Sequence, residues 1–365
     1  MRTLKRKLLK YKKLLFSVLL VLIVLAGIFG FIKLTGPLYE IAVKNKMNPF
    51  SFISLLLERE PNLKTSNNRS NIIILGVSGG NHEGPSLTDS NIFLSIDIKS
   101  NDIVMVSVPR DFYLQSLKTK INSVYYYGEQ KKTGGGLILA KSAVSEVLGT
   151  QVNYAFKIDF AAFKNIIDII GGIDIEVEQP FEDKFYPIQG KENDLCGGDP
   201  QYLCRYETVI FDKGIQHMDG SKSLKFVRSR YSEDEEGTDF SRSRRQQKVI
   251  NAVSRKVKNM LTLKNLHLLK RLFDETWKYL ETDMTITEII STAKYFYSNP
   301  NPDVRQIVLD TGDEKNKIPG LLINPPLWLY DGNWVLVPRS GNYNQIHDYI
   351  SCQMEKGDCQ IKEEI

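Results

Sequence analysis

NYAFKIDFAAFKNIIDIIGGIDIEV, residues 153–177, decides the fold class. Asn153–Ile158 reads as a strand, and Phe160–Ile170 spaces its apolar residues as a helix does. Gly171-Gly172 stops that helix, and Ile173–Val177 is a strand again. Toward the N-terminus, Asn71–Val77 (NIIILGV), Asn91–Ile98 (NIFLSIDI) and Asp102–Val108 (DIVMVSV) are β-branched runs bounded by Gly, Asn, Ser or Pro. Leu137–Leu148, after these strands, has helical spacing. Toward the C-terminus, residues 179–214 read as a long polar Gly/Pro-rich loop. Helices are expected at Ser221–Val227, Phe240–Met260 and Leu263–Leu280, and Thr285-x-x-Glu288 is a capping box opening one more, to about Tyr297. Strand texture returns near Val304–Leu309 and Trp334–Val337. This alternation predicts an α/β three-layer sandwich, a central mixed sheet flanked by helices.

The chain has 365 residues, 42% hydrophobic and 25% charged, which excludes disorder, collagen and a small disulfide scaffold. Lys and Arg number 48 against 43 Asp and Glu, a formal charge of +5. The surplus sits at one end, because residues 1–13 (MRTLKRKLLKYKK) hold seven basic residues and no acid. With Lys33 also set aside, residues 34–365 carry −3, so a nucleic-acid partner is not expected. Leu14–Ile32 is nineteen residues without a charge, spanning roughly 28 Å as a helix. A cleaved signal peptide shares this pattern, but the run exceeds the usual apolar region and no A-x-A site comes after it. Residues 14–33 are therefore expected to be one transmembrane signal-anchor helix. The positive-inside rule leaves residues 1–13 as a cytoplasmic tail and the remainder outside the membrane. Residues 34–70 read as a juxtamembrane helix and linker, 71–312 as the main α/β domain, and 313–365 as a C-terminal extension. Cys196 with Cys204, and Cys352 with Cys359, are candidate disulfides suited to an oxidising compartment.

The densest chemical feature runs from Arg228 to Gln247, RSRYSEDEEGTDFSRSRRQQ, with five arginines within eighteen positions and no lysine. Arginine is favoured over lysine where a planar fork must grip phosphate or carboxylate. Asp239 stands where a helix should begin, and Arg242, Arg245 and Gln246 come after it on one helix face. Arg228 and Arg230 precede the loop, so folding back would bring both groups to one anion. A solvated surface offset by Glu233–Glu236 is the bland alternative. Arg110, in Val-Pro109-Arg110-Asp111 at a strand's end, is a third anion ligand by position, unless it merely pairs with Asp111. Asp89, before the second strand, is a candidate for a divalent cation, although a loop aspartate is more often a turn residue. Gly76-Val-Ser78-Gly-Gly80 matches G-x-S-x-G, but residues 81–93 read as a loop into a strand rather than the helix a hydrolase elbow needs. Gly134-Gly-Gly136 before a helix is a weak phosphate-loop signal.

Taken in order, these motifs resemble the LytR–CpsA–Psr family, bacterial enzymes that attach glycopolymers to the cell wall. The resemblance covers about residues 71–310. It rests on the strand ending in Gly76, Thr88-Asp89, Val-Pro109-Arg110-Asp111, Lys120-Ile-Asn, Ile170-Gly-Gly-Ile173-Asp, Met218-Asp-Gly220, Leu224-Lys-Phe-Val-Arg-Ser-Arg230, and Asp239-Phe-Ser-Arg242-x-x-Arg245-Gln246. It implies a membrane-anchored phosphotransferase, with 71–312 as catalytic domain. The implied donor is a polyprenyl-pyrophosphate-linked glycopolymer, the acceptor is peptidoglycan, and Mg²⁺ is the cofactor. Carried over by position, Arg110, Arg228, Arg230, Arg242, Arg245, Gln246 and Lys120 would bind the pyrophosphate. Asp89 would hold Mg²⁺, and Asp239 would orient the arginines or assist deprotonation of the acceptor. Asp239, Arg110, Arg228 and Arg230 form the implied catalytic set. The family places the lipid in a tunnel inside the sandwich, for which Phe160–Ile170 and Ile138–Leu148 are apolar enough. Many members carry an aspartate where this chain has Ser78, which implies weaker Mg²⁺ binding here. A lipid pyrophosphatase and a non-catalytic lipid-binding regulator of wall assembly are the alternatives.

Overall fold

The computed structural model describes residues 62–80, 84–232, 235–260, 271–272, 274–277, 279–299, 302–313, 317–355 and 359–361. Nearly all belong to one compact unit, Glu60–Met260 with Leu272–Ile365. The basic tail, the apolar run 14–33 and most of segment 34–70 lie outside the described residues. No described helix is long and apolar enough to cross a membrane.

In chain order the strands are β1 (Arg69–Val77), β2 (Thr88–Asp97), β3 (Asp102–Val108), β4 (Tyr113–Leu114), β5 (Thr119–Lys120), β6 (Tyr154–Asp159), β7 (Ile173–Val177), β8 (Phe181–Pro187), β9 (Tyr206–Phe211), β10 (Gly214–Met218), β11 (Leu280–Thr282) and β12 (Asp303–Val308). The helices that matter are α1 (Val124–Lys131), α2 (Gly135–Leu148), α3 (Phe160–Ile169), α4 (Gly220–Arg228), α5 (Asp239–Met260), α6 (Ile286–Ser298) and α7 (Asn344–Glu355). The main sheet has six strands in the order β11-β6-β1-β2-β3-β12. It is mixed, as expected. β1 runs parallel to β6, β3 parallel to β12, and the neighbours of β2 are antiparallel to it.

The strand-alternation rule separates the two faces of the sheet. Ile73 and Leu75 of β1, with Phe93, Val104 and Val106, point into a core closed by α1, α2 and α7, where Ile73, Phe93, Val104 and Val106 have no exposure. Segment 321–350 contributes Leu321, Leu322, Leu336, Ile346 and Ile350 to this same core. Ile74 and Gly76, on the opposite face of β1, are only partly buried because they look into a cavity instead. Beyond it, α3, α4 and α5 form a second core with the ribbons β7–β10 and β8–β9. α5 is pinned to the sheet by buried Gln247, whose Nε2 donates to Ser107 Oγ and the Ile307 carbonyl, both at 2.8 Å.

Local signals behave as their chemistry dictates. Asp159 caps α3 by accepting from the Ala162 N–H at 2.8 Å, and Asp219 caps α4 through Lys222. Thr285 and Glu288 form the expected capping box on α6. Three expectations change. β7 leaves the main sheet and pairs with β10 alone. The loop 179–214 contains the β8–β9 hairpin, with Cys196 and Cys204 near its tip, their Cα atoms 5.5 Å apart. Leu280, read as the last residue of a helix, opens the edge strand Leu280–Thr282 on β6; residues 263–270 of the expected helix lie outside the described residues. Cys352 and Cys359 bring their Cα atoms to 6.0 Å.

Candidate active site

The site forms where β1 and β2 meet the ends of α4 and α5. The β1–β2 ladder pairs Gly76 with Ser90 and Val77 with Thr88, so Asp89 is the extra residue of a β-bulge. A bulge re-aims one side chain out of the ladder, and Asp89 lines a polar pocket of about 150 Å³. A Cβ on Gly76 would stand 3.1 Å from Ser90 Cβ, so glycine eases the close approach of the two strands here. Arg110, in the turn after β3, donates from Nη1 to Asp89 Oδ1. Its Nε is buried without a hydrogen bond among the described residues, 3.7 Å from Asp111 Oδ2.

Three further arginines come from the end of α4, the loop after it and α5. Arg228, at the end of α4, lays its guanidinium over the Phe160 ring at 4.4 Å and donates to the Tyr186 hydroxyl at 3.2 Å. Asp239 opens α5, and its Oδ1 lies 3.0 Å from Arg242 Nη1 and 3.4 Å from Arg230 Nε. Folding back has joined the two halves of the arginine-rich stretch on one carboxylate. Arg242 is 5% exposed, and its Nε has no hydrogen-bond partner among the described residues. Burial lowers its pKa from 12.5 to about 10; Asp239 and Asp89 oppose that fall, while Arg230 and Arg110 add to it. The group remains a cation at neutral pH. Burial likewise pushes the Tyr186 phenol up, against the pull of Arg228.

Gln246, one turn after Arg242, lines the polar pocket and also the cavity behind it. That cavity, about 240 Å³, is walled by Ile74, Ile92, Phe163, Ile167, Val249 and Val253 among others. Ser90, Phe160, Val227 and Gln246 belong to both spaces, so the apolar one adjoins the charged one. α3 lines it as its sequence suggests. Ile138–Leu148 does not, because α2 packs on the other face of the sheet, in the core of Ile73 and Phe93; the third wall is α5.

Two residues grouped with the anion ligands stand elsewhere. Arg245 is 3% exposed and donates to the carbonyls of Phe226, Ser229 and Glu236 and to Glu236 Oε2. It ties α5 to the segment carrying Arg228 and Arg230 and does not line the pocket. Lys120 donates to Asp111 Oδ1 at 2.7 Å and reaches Arg110 only through that carboxylate. One residue escaped sequence reading. Asp183, 1% exposed, accepts from the Arg230 N–H at 3.0 Å and from the Phe185 N–H at 3.0 Å, fixing the arginine loop against β8. Nothing in an isolated aspartate within a polar stretch marks it for this.

The serine-elbow match fails structurally, since no helix comes directly after β1 among the described residues. The glycine run 134–136 serves packing, a Cβ on Gly136 falling 2.7 Å from Tyr125 Cδ2. Three guanidinium groups, Arg228, Arg230 and Arg242, line the small pocket, with Arg110 joined to it through Asp89, and this set suits a dense anion such as a pyrophosphate. For a cation, the pocket offers Asp89 on its bulge. Among the described residues, the three-ligand grouping is Asp194 with Cys196 and Cys204, away from this pocket and with its sulfurs turned on each other. Of the two carboxylates lining the pocket, Asp183 is taken up by backbone N–H groups, which leaves Asp89, and Mg²⁺ takes one or two carboxylates together with substrate phosphates.

A sequence profile of the LytR_cpsA_psr family matches residues 40–323. The chain belongs to this family. It is 27% identical over 298 residues to the Bacillus cereus polyisoprenyl-teichoic acid–peptidoglycan teichoic acid transferase TagU, covering 78% of this chain and 84% of that protein. It is 26% identical over 270 residues to the Bacillus subtilis transferase TagT, covering 71% and 74%. The crystal structure of B. subtilis TagV superposes with a TM-score of 0.54 at 22% identity, over 79% of this chain and 97% of that one. TagT bound to LIIa-WTA superposes with 0.54 at 21%, over 82% and 97%. These superpositions establish the shared sandwich of a mixed sheet between helices.

Proposed function

We propose that the protein is a phosphotransferase that moves a glycopolymer from a polyprenyl-pyrophosphate carrier to peptidoglycan and releases polyprenyl phosphate. The observation that carries this reading is the wall common to the arginine pocket and the apolar cavity. An amphiphile with a pyrophosphate head and a hydrocarbon tail fits both spaces at once. The names of the family relatives supply the glycopolymer and the acceptor.

In the reaction, an acceptor hydroxyl oxygen attacks the phosphorus that bears the glycan. The phosphoanhydride bond to the lipid phosphate breaks, and its electron pair leaves with polyprenyl phosphate. The glycan keeps its phosphate, now in a phosphodiester to the acceptor. Arg110, Arg228, Arg230 and Arg242 meet the charge that grows on the transferred and leaving phosphates. Asp239 pairs with Arg230 and Arg242 and so orients them, and it would assist removal of the hydroxyl proton. Mg²⁺ held by Asp89 and the substrate phosphates would supply further charge neutralisation.

Residues 14–33 would anchor the protein in a bacterial cell membrane as a single signal-anchor span, with the N-terminus cytoplasmic and the catalytic domain outside. Both cysteine pairs would be disulfides there. The test is full-chain protein in liposomes, given a polyprenyl-pyrophosphoryl saccharide and peptidoglycan fragments, with Mg²⁺ or EDTA. Release of polyprenyl phosphate should need Mg²⁺ and fall roughly thirty- to several-hundred-fold in Arg228→Ala or Arg230→Ala. Wild-type turnover in both variants would dismiss the arginine site.

A further inference from the structure

Some residues lining the polar pocket belong neither to the arginine set nor to the wall shared with the apolar cavity. Among them are Asp183, Pro187 and Tyr231. Tyr231 is 55% exposed, and beside it stands Phe185, 44% exposed. Phe185 turns its ring edge-on to Tyr231 at 6.4 Å and to Tyr206 at 5.7 Å. Large rings held in water beside a charged pocket need a reason, because burying them would be favourable.

Their exposure is built into the backbone. The β8–β9 ladder pairs Asp183 with Val209 and then Tyr186 with Glu207, leaving two residues of β8 opposite one of β9. By strict alternation Phe185 would share the inward face with Asp183; the bulge turns it outward. Buried Asp183 fixes both partners, its Oδ1 accepting from the Phe185 N–H and its Oδ2 from the Arg230 and Tyr231 N–H groups. The same carboxylate therefore sets the spacing between an anion-binding arginine and an aromatic platform.

We infer that Phe185, Tyr206 and Tyr231 form a carbohydrate subsite, taking the pyranose ring attached directly to the donor's pyrophosphate. This rests on the pyrophosphate reading above. With the tail in the apolar cavity and the phosphates among the arginines, the sugar would lie against the pocket residues left over, Tyr231 and Pro187. Flat rings accept the apolar C–H face of a pyranose.

The experiment uses full-chain protein in detergent micelles and two probes, farnesyl pyrophosphate and the same molecule carrying one glucose on its terminal phosphate. Wild-type protein should bind the glucosylated probe more tightly than the bare one. Tyr231→Ala and Phe185→Ala should each weaken the glucosylated probe about three- to ten-fold and leave the bare probe unchanged, with Tyr231→Phe and Phe185→Tyr near wild type. Equal loss for both probes, or none for either, overturns the subsite while leaving the arginine site standing. A defect confined to the KM for the peptidoglycan acceptor overturns the donor assignment. Failure of wild-type protein to bind either probe overturns the pyrophosphate reading and this subsite with it.

Discussion

Replacing Arg242 by methionine should separate activity from stability in opposite directions. The guanidinium is 5% exposed, and its pKa falls from 12.5 to about 10 chiefly through burial. That fall corresponds to a penalty of about 3 kcal/mol on the charged form. Because the folded value lies below the unfolded one, the penalty is fully present below about pH 10 and is relieved only as the pH rises from there toward the ordinary guanidinium value. A melt at pH 7 therefore sees all of it. Methionine fills much of the same volume without the charge, and Asp239 keeps Arg230 at 3.4 Å, so no isolated buried charge is left. The variant should melt at the wild-type temperature or a few degrees above it. Turnover should drop by about 2–4 kcal/mol of transition-state stabilisation, roughly thirty- to a thousand-fold. Added pyrophosphate should raise the wild-type melting temperature and do so much less in the variant, because the anion is what offsets the buried cation. Differential scanning fluorimetry and the liposome assay read all three. A melting temperature several degrees below wild type would show that Arg242 holds the fold together, and would refute the reasoning.

The neighbouring arginine predicts the reverse. Arg245→Met strands the buried carbonyls of Phe226 and Ser229, at about 1–3 kcal/mol each, so the melting temperature should fall by several degrees; an unchanged melt would contradict its bracing role. Val253→Phe, which narrows the apolar cavity, should weaken binding of a long-chain polyprenyl pyrophosphate and leave inorganic pyrophosphate unaffected by calorimetry. Ser78→Asp, next to the bulge that carries Asp89, should lower the Mg²⁺ concentration needed for half-maximal turnover; loss of activity would show that the loop is aligned wrongly with the aspartate-bearing family members.

The contrast between Arg242 and Arg245 also marks the limit of sequence reading. Strands and helices were legible because alternation and 3.6-residue periodicity arise from backbone geometry, and caps such as Asp219 and Thr285 announce themselves. The joining of Arg230 to Arg242 through Asp239 was legible as a loop that folds back. Three residues along α5, however, Arg245 turns away onto backbone carbonyls of a segment distant in sequence. Helical spacing placed both on one face and could not distinguish them. The cavity was half legible for the same reason. Apolar α2 and α3 have similar patterns, and only the tertiary path sends α2 to the other side of the sheet. Asp183 and the bulges at Asp89 and Phe185 left no signal, since a bulge is a property of two paired strands and not of either one.

The most direct measurement tracks phosphorus through the reaction. Full-chain protein would receive a polyprenyl-pyrophosphoryl saccharide labelled with ¹⁸O on the sugar-bearing phosphate, peptidoglycan fragments and Mg²⁺, with mass spectrometry of both products. The label should appear in a sugar-phosphate adduct on peptidoglycan, equimolar with unlabelled polyprenyl phosphate, and both should vanish in Arg230→Ala. Labelled sugar phosphate free in solution, with no adduct, would contradict transfer and make the protein a pyrophosphatase.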